Sequence, residues 1–285
     1  MRFNYLEPAT VEEAVSLLSK YDGKAKAIAG GTDLLVQIRN KAIKPEYVVD
    51  IGYISGLDYI NYDEKQGLRI GALTTIRAIE KSDKLRQVYP VISQAAGLLG
   101  SVAIRNVATI GGNLCNALPS ADTAPPLIGL SARARIAGSG GERLVSLEDF
   151  FTGVGSTVLR NDELLVEIEV PVPLPGTRGV YLKYTRSAVD LAVVGVAVII
   201  TLEPDEVCRD IKIVLGAVAS TPMRAQSAEE IIRGKTIDEA IIDRCAQAAS
   251  DEAHPRPDSI RASPEEKKEI VRLFITQAIK QIIAK

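Results

Sequence analysis

Ala27-Ile-Ala-Gly-Gly-Thr-Asp-Leu34 carries the chain from a short apolar run, through a glycine pair, into a helical pattern. Lys26 to Ala29 reads as a strand. Thr32 onward reads as a helix with Leu34, Leu35 and Ile38 on one face. A glycine pair lets the backbone approach a ligand closely and adopt φ > 0. The helix start that follows offers free N–H groups and the positive end of a dipole, which suits a pyrophosphate. The stretch is neither G-x-G-x-x-G nor G-x-x-x-x-G-K-[ST], so it is not one of the common nucleotide loops. Taken alone it serves equally well as a tight strand-to-helix turn.

Working outward, Thr10-Val-Glu-Glu13 reads as a capping box before a helix bearing Ala14, Leu17 and Leu18. Tyr47 to Ile51 and Leu68 to Ile70 read as strands, Thr75 to Glu80 and Val91 to Leu99 as helices. The first 135 or so residues therefore alternate strand and helix, as in an α/β layout. Three prolines and a glycine between Pro171 and Gly176 cannot sit inside a regular element, which divides the chain into 1–175 and 176–285. Beyond them come strand-like runs at Gly179 to Tyr184, Ala192 to Leu202 and Cys208 to Ala217. Helices follow, with capping boxes at Thr236-Ile-Asp-Glu239 and Ser263-Pro-Glu-Glu266. Strands followed by helices predict an α+β unit packed on the first.

Composition narrows the function classes. A formal charge of −2 over 285 residues, without long charge runs, leaves no basic surface for nucleic acid or an anionic membrane. The longest apolar run, Leu191 to Leu202, is shorter than the ~20 residues of a membrane span. The opening MRFNYLEPAT shows no basic-then-apolar leader, which predicts a cytoplasmic protein. Cys115, Cys208 and Cys245 are too few for a four-thiolate cluster and form no C-x-x-C unit. No metal-ligand set is expected in this chain, nor a Ser/His/Asp triad.

A second glycine pair lies in Thr109-Ile-Gly-Gly-Asn113, and Asp122 follows in a Pro-Ser-Ala-Asp loop. Each pair taken singly is a turn or a site. Two such turns can converge on one extended anionic ligand from two sides, which favours a dinucleotide.

The Ala27–Leu34 stretch, followed by Ile104-Arg-Asn-Val-Ala-Thr-Ile-Gly-Gly-Asn113 and Asp122, resembles the FAD subunit of the xanthine dehydrogenase and carbon monoxide dehydrogenase family. The resemblance runs nearly end to end and takes in Gly71-Ala-Leu-Thr-Thr75, Pro171, Lys183, Arg186 and Ile260-Arg-Ala-Ser263. It implies an α+β protein: a two-subdomain FAD-binding fold of the vanillyl-alcohol-oxidase type, then a small flavoprotein C-terminal domain. It implies that Ala27, Ile28, Ala29, Gly30, Gly31, Thr32, Asp33 and Leu34, with Thr109, Ile110, Gly111, Gly112 and Asn113, wrap the pyrophosphate and ribityl chain of a non-covalent FAD. Leu99 would contact the cofactor, Asp122 would accept from its hydroxyls, and Leu165 would line the adenine side. Lys183, Asp190 and Leu191 would reach the flavin ring from the second domain, Lys183 favouring reduction by its charge. The implied partners are a large molybdenum-cofactor subunit, a small [2Fe–2S] subunit and an external electron acceptor such as NAD⁺, a quinone or ferredoxin.

His254, the only histidine, lies far from both glycine pairs and reads as a loop residue rather than a covalent flavin anchor. Cys115 reads as a small packer and Tyr184 as a strand residue. Two other functions stay open on the residues alone: a self-sufficient FAD oxidoreductase, which needs its own general base beside the flavin, and a non-catalytic scaffold.

Overall fold

The computed structural model describes residues 2–284. Strand β1 (Asn4–Leu6), helix α1 (Val11–Lys20), strand β2 (Ala25–Ile28), helix α2 (Leu34–Arg39) and strand β3 (Tyr47–Asp50) form the first layer. The strands make a parallel sheet in the order β1-β3-β2. The Thr10 hydroxyl caps α1 by accepting from Glu13 N–H at 3.2 Å. Glu13 reaches back to the N–H of Ala9, not to that of Thr10. Leu34 and Ile38 face the Ile28–Val48 cluster, but Leu35 is exposed. At about 100° per residue Leu34 and Ile38 lie about 40° apart, whereas Leu35 lies at the edge of that face, about 100° from Leu34.

The expected strand–helix alternation ends at Asp50. Strands β4 (Ile60–Asp63) and β5 (Gly67–Gly71) form a hairpin. Its turn is made by Asp63 accepting from the N–H groups of Lys65 and Gln66, and by Gly67 at φ 90°. Five short helices follow: α3 (Ile76–Lys81), α4 (Asp83–Val88), α5 (Pro90–Leu98), α6 (Val102–Arg105) and α7 (Ile110–Cys115). Then come α8 (Ala124–Gly129) and strands β6 (Arg133–Gly138), β7 (Gly141–Ser146), β8 (Phe151–Gly153), β9 (Ser156–Thr157) and β10 (Leu164–Val170). The second sheet runs β4-β5-β10-β6-β7 and is antiparallel throughout, which corrects the α/β expectation for this region. Its centre is β10. Leu164 and Val166 face the first layer, while Leu165, Ile168 and Val170 face the helices.

Past Gly176, β11 (Thr177–Tyr184), β12 (Val194–Leu202), β13 (Cys208–Gly216) and β14 (Met223–Arg224) form an antiparallel meander. Helices α9 (Gln226–Ile232), α10 (Glu239–Glu252) and α11 (Pro264–Ile283) cover one face. The other face, with Tyr181, Ala197, Ile199 and Val214, joins the core of α5 and α8. One continuous apolar cluster thus fastens the last sheet to the preceding helices, and fixes where the β11 side chains reach.

Thr236 is not a cap. It pairs with Val207 beside β13, and Cys208 N–H donates to the carbonyl of Lys235. That pairing holds the segment extended, and α10 starts instead from Asp238, whose carboxylate accepts from Ile241 N–H at 2.7 Å. Ser263 makes the complete capping box with Glu266 and has proline at the first turn, as expected. Ser263→Ala should therefore lower stability by about 1 kcal/mol, measured by urea unfolding; a change below the error of that measurement would show that the box does not hold the helix start.

Candidate active site

Chain direction turns sharply after β2 because Gly31 adopts φ 70°, a conformation glycine tolerates. Gly30 does something else. A β-carbon on it would overlap the Val107 carbonyl oxygen and lie 2.7 Å from its carbon. Gly30 is thus where the first glycine turn and the segment leading to the second one touch, backbone to backbone. Among the described residues, the N–H groups of Gly30, Gly31, Thr32 and Asp33 donate to no protein acceptor. Four consecutive donors without a partner are an anion cradle.

The second glycine pair differs. Ile110 N–H donates to Thr74 O, Gly111 N–H to Ala72 O, Gly112 N–H to Thr109 Oγ1 and Asn113 N–H to Thr109 O, all within 3.0 Å. Neither glycine has positive φ, and a β-carbon on Gly111 would lie 2.7 Å from Ala72 O. The pair lets α7 lie flat on the Gly71–Thr75 segment, a packing role. Its donors are used, so its contribution to a ligand must come through side chains and shape.

Between these segments lies a cavity of about 610 Å³. Its walls include every residue from Ala27 to Leu34, then Leu99, Thr109, Gly112, Asn113, Asp122, Asp190 and Leu191. Ile110, Gly111, Leu165 and Lys183 do not line it. Ile110 and Leu165 belong to the buried core, because α7 and β10 turn those side chains toward the helices. A larger groove of about 880 Å³ runs between α1 and the second sheet. Its Arg69 and Arg135 are paired with Glu167 at 2.9 and 3.1 Å, which leaves Lys20 as the lining cation without an ion pair among the described residues.

Lys183 Nζ donates to Asp122 Oδ2 and to Leu98 O, each at 2.9 Å, and Tyr181 OH donates to Asp122 Oδ1 at 3.0 Å. Both ions of the pair have side chains only 3% exposed. Lys183 therefore presents no free point charge to the cavity. It ties β11 to the Asp122 loop and to the end of α5. Burial raises the Asp122 carboxyl above its ordinary range, against the pull of Lys183 and Tyr181. Arg105 takes the next two carbonyls, Leu99 O at 3.0 Å and Gly100 O at 2.9 Å, while its other edge pairs with Glu80 at 2.8 Å. Two cations thus hold three consecutive carbonyls and set the cavity wall at Leu99–Gly100.

Several wall residues escaped the sequence reading. Gln37 and Asn116 bond across the floor, Nε2 to Oδ1 at 3.1 Å. Cys115 and Asn116 follow Gly112 by three and four residues on α7, a spacing that could have flagged them. Burial pushes the Cys115 thiol up to about 12, which marks it as unreactive. Gly155 arrives from the β8–β9 turn, held by its N–H to Ala117 O at 2.9 Å, and no local signal announces it. Burial also raises the Asp33 carboxyl, with hydrogen bonds from Thr32 and Asn116 opposing. Lys26 is the one basic residue among the described walls. Backbone N–H groups without a protein partner outnumber side-chain cations on this wall.

A cavity of this volume with a run of free backbone donors on its wall has room for a dinucleotide, and comparison with known proteins points to FAD. Residues 1–173 match the FAD binding domain in molybdopterin dehydrogenase, and residues 180–282 the CO dehydrogenase flavoprotein C-terminal domain. The glyceraldehyde dehydrogenase medium chain of Sulfolobus acidocaldarius is 32% identical over 98% of each chain. The xanthine dehydrogenase FAD-binding subunit of Escherichia coli O157:H7 is 31% identical over 99% of this chain and 96% of its own. A chain of carbon monoxide dehydrogenase from Hydrogenophaga pseudoflava superimposes with a TM-score of 0.96 at 31% identity, covering 100% of this chain and 98% of that one. The chain belongs to the family of FAD-binding medium subunits that includes those of xanthine dehydrogenase and carbon monoxide dehydrogenase.

Proposed function

We propose that the cavity holds one non-covalent FAD, with its pyrophosphate on the N–H groups of Gly30 to Asp33, and that the chain serves as the electron-transfer flavoprotein of a molybdenum hydroxylase complex. The observation that carries the reading is the run of four N–H groups without a protein partner on the wall of the cavity. When bound, FAD supplies the one- and two-electron chemistry. The chain's own residues bind and orient it: the cradle donates hydrogen bonds to the pyrophosphate, Leu99 and Leu191 offer apolar contact, and Asn113, Thr109 and Asp190 offer polar edges. Lys183 acts through Asp122, holding the last sheet against the cofactor wall. We divide the chain at 175/176, into an FAD-binding unit and a C-terminal unit that closes the cavity through Asp190 and Leu191.

The molybdenum cofactor and the [2Fe–2S] clusters belong, in this reading, to a large and a small partner subunit, and electrons leave to an external acceptor. Support comes from the relatives, which carry names such as carbon monoxide dehydrogenase medium chain and 6-hydroxypseudooxynicotine dehydrogenase complex subunit alpha. No described helix is long and apolar enough to cross a membrane. The free thiols of Cys115, Cys208 and Cys245 support a cytoplasmic location.

FAD added to the flavin-free chain should bind one to one, and acid precipitation should release it all to the supernatant. A chain that stays colourless, or flavin that stays on the pellet, contradicts the reading. His254, exposed and away from the cavity walls, gives no covalent anchor.

A further inference from the structure

Ala217 follows the end of β13 with φ 64°, in the left-handed region, although it carries a β-carbon. Such a conformation costs free energy unless its surroundings impose it. Two hydrogen bonds impose it here. Ala217 N–H donates to Pro119 O at 2.7 Å. Its carbonyl accepts from Lys267 Nζ at 2.9 Å. Pro119 is followed by Ser120, Ala121 and Asp122, all residues of the cavity wall. The end of β13 lies close as well, since a β-carbon on Gly216 would sit 3.4 Å from Pro119 O.

Lys267 itself is an expensive residue. It stands near the start of α11, only 7% exposed. The Ala217 carbonyl is its one hydrogen-bond acceptor among the described residues. Burial, and then the guanidinium groups of Arg256 and Arg261, push its ammonium below the ordinary lysine range. A lysine without a task at this position would reach solvent along its flexible stem. This one stays inside, next to like charges, on a single backbone carbonyl.

We propose that Lys267 is a positioning residue for the FAD site: it holds Ala217 left-handed, Ala217 holds the Pro119 carbonyl, and the Ser120–Asp122 wall is thereby set against the cofactor. Removing the ammonium strands the Ala217 carbonyl and lets Ala217 relax toward right-handed φ, which turns its N–H away from Pro119. The inference rests on the cavity being the FAD site.

The test titrates the full-length, flavin-free chain with FAD, reading the dissociation constant and the visible circular dichroism of the bound flavin. Lys267→Met should weaken FAD binding by about tenfold, the scale of holding one alanine left-handed without support, and alter the dichroism. Adding Ala217→Gly should restore affinity to within about threefold of wild type, because glycine holds positive φ unaided. A purely stabilising lysine would lower the melting temperature of Lys267→Met and leave the dissociation constant and dichroism unchanged. That result, or a double variant as weak as the single, overturns the proposal. If Lys267→Met alone does not fold, the double variant decides: near-wild-type affinity supports the proposal, and weak binding or failure to fold overturns it. Gly30→Ala separates the two levels of inference. Full FAD affinity in that variant removes the site assignment, whereas its loss beside an unaffected Lys267→Met removes only the role of Lys267.

Discussion

Gly30→Ala should abolish stoichiometric FAD binding while the chain stays folded. Gly30 does not have positive φ, so an added methyl brings no backbone strain of its own. Its whole effect is steric. The new β-carbon overlaps the Val107 carbonyl and lies 3.1 Å from Ala108 Cα, two backbone groups that cannot rotate away. The first glycine turn must then move off the 107–108 segment, and the four free N–H groups move with it. Overpacking of this kind costs about 1–3 kcal/mol, and a displaced cradle loses phosphate contacts in addition. Gly140→Ala is the control. Its β-carbon meets nothing within 4 Å and the residue lies outside the cavity wall, so FAD binding should change little. Equilibrium titration with FAD and far-ultraviolet circular dichroism report both quantities. Comparable affinities for the two variants would show that the Gly30 turn does not hold the phosphate.

Lys183→Met should destabilise the chain by about 3–5 kcal/mol at neutral pH, the usual consequence of leaving one ion of a buried pair alone. The deficit should depend on pH in a set direction. Burial already raises the Asp122 carboxyl, and without Lys183 the main opposing attraction is gone. An acid whose folded pKa lies above its unfolded value, about 3.9 for Asp, binds more protons folded than unfolded between those two values. Stability therefore falls as pH rises through that window. Urea unfolding should show a smaller gap between wild type and Lys183→Met at pH 5 than at pH 8. Asp122→Asn in the Lys183→Met background should recover most of the loss, since it removes the buried charge. A gap that is equal at both pH values, or no recovery in the double variant, would show that Asp122 is not the source.

The sequence disclosed the site best where the physics is local. The turn at Ala27–Leu34 depends on an apolar strand, a glycine able to take positive φ and a helix start, all within eight residues. The Ser263 capping box is local too. Pairing between distant segments was opaque. Leu164–Val170 is the central strand of the second sheet, yet its place follows only from partners near residues 70 and 135. The helix over Ile110–Cys115 was hidden because two glycines give it poor propensity; the Thr109 cap and the carbonyls of Thr74 and Ala72 hold it. Thr236 fits a capping box in its spacing, but β13 claims it first. Lys183 was expected at the flavin ring on the family resemblance alone, since by itself it reads as a solvated lysine on a strand. Only the fold reveals that Asp122, sixty-one residues earlier, and the end of α5 already hold that charge.

A flavin site with no source of electrons in its own chain requires partners. Three scattered cysteines cannot bind an iron–sulfur cluster, and electron transfer needs cofactors held close by a stable interface, on the order of 1,200–2,000 Å² or more. The decisive measurement is affinity purification of the natively expressed protein, followed by subunit identification and by flavin, molybdenum and iron analysis of what elutes. The expected result is a heteromeric complex in which this chain carries the FAD, a large subunit accompanies molybdenum and a small subunit accompanies iron. A metal-free homo-oligomer of this chain with full dehydrogenase activity would contradict it and make the chain a self-sufficient flavoenzyme.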